Sequence, residues 1–222
     1  MSDPTQPAAA PPRLELNGPA PDFSANSTHG PIKLSEWEKD KWVVLFSHPA
    51  DFTPVCTTEF IEFAKRQDEF AKRNVALLGN SIDSVYSHIA WIRNIEKNFD
   101  VKIKFPVIAD LDQKVARTYG MVHEPSALTA AVRCVFFIDP KRVLRAMIYY
   151  PLNVGRNFDE IVRVIDALQT ADKNGVACPA NWRPGDDVIV PAPMTQAAAE
   201  ARANDKDLQV TDWYLSKKKL PA

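Results

Sequence analysis

Glycine is scarce in this chain, with 7 in 222 residues. Neither a Gly-x-Gly-x-x-Gly segment nor a P-loop pattern occurs, which argues against nucleotide binding. Cysteine is equally sparse, at 3. An odd, widely spaced set excludes a disulfide framework and fits a reducing compartment. Cys56, Cys134 and Cys178 lie far apart, and no Cys–His pair has metal spacing, so no metal or cofactor is expected. Charge of one sign is also missing: 27 Lys and Arg oppose 28 Asp and Glu, for a formal net charge of -1. That balance gives no general pull toward nucleic acid or an anionic membrane surface. No apolar run approaches the roughly 18 to 20 residues of a membrane helix. The first twelve residues, Met1 to Pro12, have neither a basic nor an apolar signal region. Residues 1–12 therefore read as a disordered tail rather than a signal peptide, and the cytoplasm is the expected location.

What the chain does have is a globular composition, 45% hydrophobic, with 18 prolines. The prolines crowd into Met1–Pro21 and Val176–Pro193, marking tail, linker or extended arm. Between them the pattern alternates. Phe23–Ser27 and Pro31–Leu34 flank Thr28-His-Gly30 as a hairpin. Ser35-Glu-Trp-Glu38 reads as a capping box opening a short helical turn. Trp42–Ser47 and Val75–Ser81 are continuous apolar runs of the kind buried on both faces of a sheet. Helices are expected over Thr57–Asn74, Ser84–Phe99, Asp112–Tyr119 and Asn157–Thr170. In the second of these Tyr86, Ile89, Trp91, Ile92 and Ile95 supply the apolar positions. Phe105–Ala109 is a short strand, and Val132–Ile138 with Val143–Tyr150 forms a hairpin. This order predicts an α/β chain: a three-layer sandwich around a mixed sheet, compatible with a thioredoxin-like arrangement, with an N-terminal hairpin and a C-terminal extension. The expected divisions are 1–12 as tail, 13–172 as the folded domain and 173–222 as an arm. Residues 175–222 show no clear periodicity and suggest a segment that covers a surface.

Cys56 carries the chemistry. It lies between the loop His48–Val55 and an expected helix, where free N–H groups and the helix dipole favour an anion. Such a place favours the thiolate, the reactive form of cysteine. Thr53, three residues earlier, is in reach to turn its hydroxyl onto the sulfur. Pro49 and Pro54 stiffen the loop and remove two N–H donors. The competing reading makes Cys56 a small buried hydrophobe.

Pro49-Ala-Asp-Phe-Thr-Pro-Val-Cys56 matches the Pro-x-x-x-Thr-x-x-Cys signature of the peroxiredoxins. The longer stretch Phe46–Glu59, with His48 before the proline and Thr57-Thr-Glu59 after the cysteine, resembles the one-cysteine subfamily. The likeness runs through Asp83, Trp91, Phe105-Pro106, Asp110, Arg133 and Gly155–Glu160, and covers roughly residues 14–222. It implies a thiol peroxidase acting on hydrogen peroxide and organic hydroperoxides, with Cys56 as nucleophile passing through a sulfenic acid. Thr53 and Arg133 would hydrogen-bond peroxide and thiolate, and Pro49 would shield the pocket. Glu59 and Arg156 would support Arg133, and His48 would line the site and hydrogen-bond peroxide or the oxidised sulfur. The resemblance also implies a homodimer or larger ring, with the 173–222 arm in dimerisation, and a thiol reductant of thioredoxin type or glutathione.

Each residue has a plainer reading. On sequence pattern alone, Arg133 on a strand reads as a solvated charge. Glu59 and Arg156 can be an ordinary ion pair, and His48 a structural histidine. Phe46, Phe52 and Trp91 read as core or pocket wall. Cys134 alternates away from the Arg133 side and reads as structural. Cys178, in Cys178-Pro-Ala-Asn-Trp182, resembles the segment that carries the resolving cysteine in two-cysteine relatives. That departs from the one-cysteine pattern and leaves resolution open between Cys178 and an external thiol. Lys41 stands where some one-cysteine members have a phospholipase serine, so no such activity is expected. Cys56 is followed by Thr57-Thr58-Glu59 rather than completing a Cys-x-x-Cys, which disfavours disulfide exchange. A holdase-type ring without turnover is the non-enzyme alternative.

Overall fold

The computed structural model describes residues 14–221, so the tail expected over 1–12 lies outside the described residues. The described residues divide into two compact units, with the boundary between Arg156 and Asn157.

The first unit is a seven-stranded mixed sheet with helices. Its strands are β1 (Ser24–Ser27), β2 (Gly30–Lys33), β3 (Trp42–Ser47), β4 (Val75–Ser81), β5 (Val107–Ala109), β6 (Arg133–Ile138) and β7 (Leu144–Tyr150). Their order is β2-β1-β5-β4-β3-β6-β7. The β3, β4 and β5 strands run parallel, and the flanking strands pair antiparallel. Three helices connect them: α1 (Pro54–Lys72), α2 (Val85–Phe99) and α3 (Lys114–Thr118). The central strands are buried along their length except at Ala76, as parallel strands covered on both faces must be.

Alternation assigns the two faces. Val43 and Leu45 of β3, with Cys134, Phe136 and Ile138 of β6, enter one core alongside Val115, Ala116 and Tyr119. Phe46 points to the other face and stacks on Phe63 of α1 at 3.9 Å between ring centroids. Phe60 and Phe105 meet the same ring edge-on. Gly79 of β4 makes room there. A Cβ on it would lie 3.3 Å from Val107 Cγ2 and 3.4 Å from Phe46 Cζ. Arg133 occupies the same face of the sheet as Phe46, since Phe46 pairs with Val135 and Arg133 lies two residues from it.

Three expectations are corrected here. Ser35 opens no helix: its N–H and hydroxyl both donate to the Asp22 carboxylate, and residues 34–40 form turns. The first long helix begins at Pro54 rather than Thr57, because proline is pre-set for the first helical position and needs no N–H acceptor there. In α2, Tyr86 and Ile89 are 81% and 42% exposed, while His88 joins Trp91 and Ile95 on the buried side.

The second unit holds α4 (Phe158–Asn174), β8 (Val188–Val190), α5 (Gln196–Ala203), β9 (Gln209–Asp212) and β10 (Leu215–Lys218). The stretch expected to lack regular structure therefore contains a three-stranded antiparallel sheet, ordered β8-β10-β9, and a short helix. Strands of three or four residues with little burial carry no readable period. Val176, Trp182 and Val188 form a small core in this unit. Among the described residues no helix is long and apolar enough to cross a membrane.

Phe46 is fully buried in the aromatic group. Phe46→Ala should cost about 3–5 kcal/mol of stability, read from denaturant unfolding. A loss below about 1 kcal/mol would contradict this packing.

Candidate active site

Cys56 is the third residue of α1. Thr53 precedes the helix in extended conformation (φ -109°, ψ 149°) and Pro54 opens it. The first intrahelical bond runs from Thr57 N–H to Thr53 O at 3.0 Å. Helix geometry thus leaves the N–H groups of Val55 and Cys56 without an intrahelical acceptor, at the positive end of the dipole. The Thr53 hydroxyl donates to Ala50 O at 2.9 Å. Its proton is thus committed to the loop and not to the sulfur, and only its lone pairs remain for an incoming donor. Phe52 holds φ +56°, uncommon for a bulky residue. It is 57% exposed, a rim residue rather than core, while Pro49 is half-buried.

Antiparallel pairing of β6 with β3 carries Arg133, 77 residues from Cys56, to the carboxyl end of β3. Its Nη1 donates to Cys56 Sγ at 3.3 Å and to Glu59 Oε2 at 2.8 Å. Nε and Nη2 donate to Leu152 O at 3.0 and 2.8 Å. Arg133 is only 3% exposed, so the solvated-charge reading of the strand pattern does not hold. Glu59, one turn after Cys56 on α1, accepts in addition from Arg156 Nη2 at 2.6 Å, Nε at 3.1 Å and backbone N–H at 3.0 Å. Arg156 Nη1 reaches Ser47 O at 2.8 Å and Cys134 O at 3.1 Å, and its guanidinium lies over the Phe46 ring. All four side chains are buried. Two guanidinium charges meet one carboxylate, which leaves one surplus positive charge beside the sulfur. In a buried site such a charge acts with little screening.

Sequence reasoning missed a second constellation. His48 Nε2 lies 2.8 Å from Asp51 Oδ1, and His88 Nδ1 lies 2.8 Å from Asp51 Oδ2. His88 Nε2 lies 3.0 Å from Ile108 O. Burial lowers the pKa of His48, against the raising effect of Asp51. Burial alone would raise the Asp51 carboxyl, but the hydrogen bonds from His48 and His88 together hold it well below the usual carboxylate range. Among the described residues this is the one cluster of His, Cys, Asp or Glu side chains close enough to share a cation. The available signal was His88 at the 88, 91, 95 spacing of the buried helix face.

The other cysteines differ. Cys134 is buried, and burial pushes its thiol up to about 12 despite the Ser47 hydrogen bond and Arg156. Cys178 is half-buried against the small core of the second unit, with Sγ 3.5 Å from Ala167 O. Burial raises its pKa, opposed by Arg163.

Residues 16–147 match the AhpC/TSA family, and residues 167–206 match the C-terminal domain of 1-Cys peroxiredoxin. The chain is 55% identical over 207 residues to "Peroxiredoxin 2" of Caldanaerobacter subterraneus subsp. tengcongensis, covering 93% of each. It is 53% identical over 215 residues to a peroxiredoxin of Aquifex aeolicus, covering 92% of this chain and 96% of that one. Among solved structures, a yeast mitochondrial 1-Cys peroxiredoxin, described as resolved through glutathione/thioredoxin systems, superposes with a TM-score of 0.83 at 44% identity. That match covers 94% of this chain and 100% of the other.

Two outcomes follow from the buried groups. In the native protein at about pH 8, iodoacetamide should leave Cys134 unmodified, and unfolding in urea should expose it. Peptide mapping reads this, and native labelling of Cys134 would contradict its burial. His48 has a folded-state pKa below its unfolded value of 6.5. Its contribution to stability is therefore complete above that value and is lost as pH falls through it. The urea midpoint should drop between about pH 7 and 5, and less steeply in His48→Gln. Equal slopes in the two proteins would count against a neutral buried His48.

Proposed function

This chain belongs to the peroxiredoxin family, and from that premise we propose that Cys56 is the peroxidatic nucleophile of its thiol-dependent peroxidase activity. The observation that carries the assignment is the 3.3 Å contact from Arg133 Nη1 to Cys56 Sγ inside a buried cluster with one positive charge in excess.

The thiolate sulfur attacks one oxygen of a hydroperoxide, hydrogen peroxide or an organic one. The S–O bond forms as the O–O bond breaks, and the leaving oxygen departs with the electron pair. Sulfur becomes a sulfenic acid. Arg133 stays protonated and presents its donors in a rigid fork. Aimed in advance at the developing charge, it stabilises the transition state more than the ground state. Glu59, Arg156 and the Leu152 carbonyl keep that fork in place. Thr53, its proton held by Ala50, accepts from the peroxide O–H. Pro49 walls the pocket, and His48 lines it.

The sulfenic acid is then reduced by a thiol. In our reading the molecule is a cytoplasmic homodimer or larger ring, in which residues 173–222 act as the dimerisation arm and Cys178 of one subunit resolves Cys56 of the other. One observation favours direct reduction by an external thiol instead: Cys178 is packed into its own small core and must be freed to react.

Cys56→Ser should abolish peroxide turnover. Arg133→Ala should lower kcat/KM by roughly 10²–10³-fold, with Arg133→Lys between it and wild type. Stopped-flow tryptophan fluorescence reads both, and near-wild-type turnover by Cys56→Ser would overturn the assignment. Non-reducing electrophoresis after one equivalent of peroxide separates the recycling routes. A dimer band lost in Cys178→Ser supports resolution by Cys178, and a monomer band alone assigns the step to an external thiol.

A further inference from the structure

The chemistry above gives Asp51 and His88 no part, yet both are buried together with His48. The two imidazoles converge on one carboxylate. Asp51 Oδ1 lies 2.8 Å from His48 Nε2 and 3.1 Å from His88 Nδ1, and Oδ2 lies 2.8 Å from the same His88 nitrogen. One atom from each of the three residues falls within 4.8 Å of the others. Two atoms bound to one ion at about 2.0–2.2 Å stand roughly 2.8–3.1 Å apart when they subtend a right angle. The spacing here is that of ligands around one small cation.

The contacts around the cluster favour a cation as well. His88 Nε2 lies 3.0 Å from Ile108 O. A carbonyl oxygen can only accept, so this nitrogen carries a hydrogen. In the neutral imidazole Nδ1 is then a lone pair, and it faces Asp51. Metal-bound histidines are held in this way, with the second nitrogen donating to a backbone carbonyl or a carboxylate. Asp51 N–H donates to Asp83 Oδ2 at 3.0 Å, and Ser81 Oγ donates to the same oxygen at 2.7 Å. Asp83 thereby brings a second carboxylate to the cluster, and its charge acts on His48. Shared hydrogens in all the imidazole contacts would make His88 an imidazolium, so one positive charge would face two carboxylates. A dication on two neutral imidazoles balances both carboxylates, which is the less costly arrangement in a buried place.

We propose that His48 Nε2, His88 Nδ1 and the two carboxylate oxygens of Asp51 form a closed binding site for a divalent cation of the zinc type. Imidazole nitrogen with carboxylate oxygen suits zinc and its first-row transition-metal neighbours, whereas calcium and magnesium prefer oxygen throughout. Four ligand atoms from buried side chains leave no open position, the character of a structural rather than a catalytic metal. Linear spacing hides the set, because His88 stands 37 residues from Asp51 and reaches it only in the fold. Binding clears hydrogen from both facing nitrogens. His88 releases one proton to solvent, and the one His48 hydrogen moves to Nδ1, an atom with no partner among the described residues. The ion joins the loop before α1 to α2 and, through Ile108, to β5. The site does not depend on the role assigned to Cys56.

The test loads reduced, full-length protein with zinc chloride after dialysis against EDTA, dialyses it again and counts zinc per chain by elemental analysis. The wild type should retain one equivalent. So should Cys56→Ser and Cys178→Ser, whereas a folded His88→Gln should retain none. A wild type that keeps no zinc overturns the proposal, as does equal retention by His88→Gln. Zinc lost with either cysteine places the metal on a thiolate and overturns it too. NMR of the wild type labelled with ¹⁵N-histidine reads the ligands directly. The chain has 4 histidines, and zinc should strip hydrogen from His48 Nε2 and His88 Nδ1 while leaving the His29 and His123 signals in place. Unchanged His48 and His88 signals mean that shared protons fill these contacts, and the proposal fails. Should His88→Gln not fold, the wild-type spectrum decides alone. None of these outcomes bears on Cys56 as nucleophile, which is read from peroxide turnover.

Discussion

A buried Arg–Glu–Arg cluster with a sulfur at its edge is the constraint on which this site depends. Burying two guanidinium groups and one carboxylate is costly unless every donor and acceptor is matched. Here Glu59 accepts from both arginines, and the remaining donors reach Leu152, Ser47 and Cys134 carbonyls. The excess positive charge has Cys56 as its neighbour. The same cluster therefore ties α1 to β3, β6 and the segment after β7, and defines the electrostatic surroundings of the sulfur. Stability and proposed chemistry share their residues, so Arg133 serves packing as well as its proposed role at the sulfur.

The second polar cluster works on a different principle. In His48, Asp51 and His88, two imidazoles share one carboxylate. Their hydrogen bonds run from α2 and β5 through the loop before α1. The rings of Phe60 and Trp91 pack against His48. The strained Phe52 backbone lies in the same loop. Unfavourable backbone geometry of this kind persists where the surroundings over-determine it.

The second unit contrasts with the first. Its core is small, its strands are short, and its helix α5 buries no residue. Cys178 belongs to that unit and is half covered by it.

The placement of Cys56 where the loop of Pro49 and Thr53 enters a helix was legible in the linear chain because that relation is local. The buried strands were legible because continuous apolar runs need cover on both faces. Arg133, Arg156 and Glu59 could be named from the family likeness, but pattern alone made Arg133 a surface charge. Only the antiparallel return of β6 beside β3 brings it to the sulfur, and no periodicity encodes that pairing. Asp51 and His88 went unread for a related reason. Their meaning lies in a mutual contact between a loop and a helix far apart in sequence, and in isolation each is an ordinary polar residue. The short strands after Val176 escaped notice because elements of three or four residues bury too little to leave a period. Local chemistry is written along the chain, whereas partnership between distant polar groups exists only once folding has closed the intervening loops and excluded water from the contact.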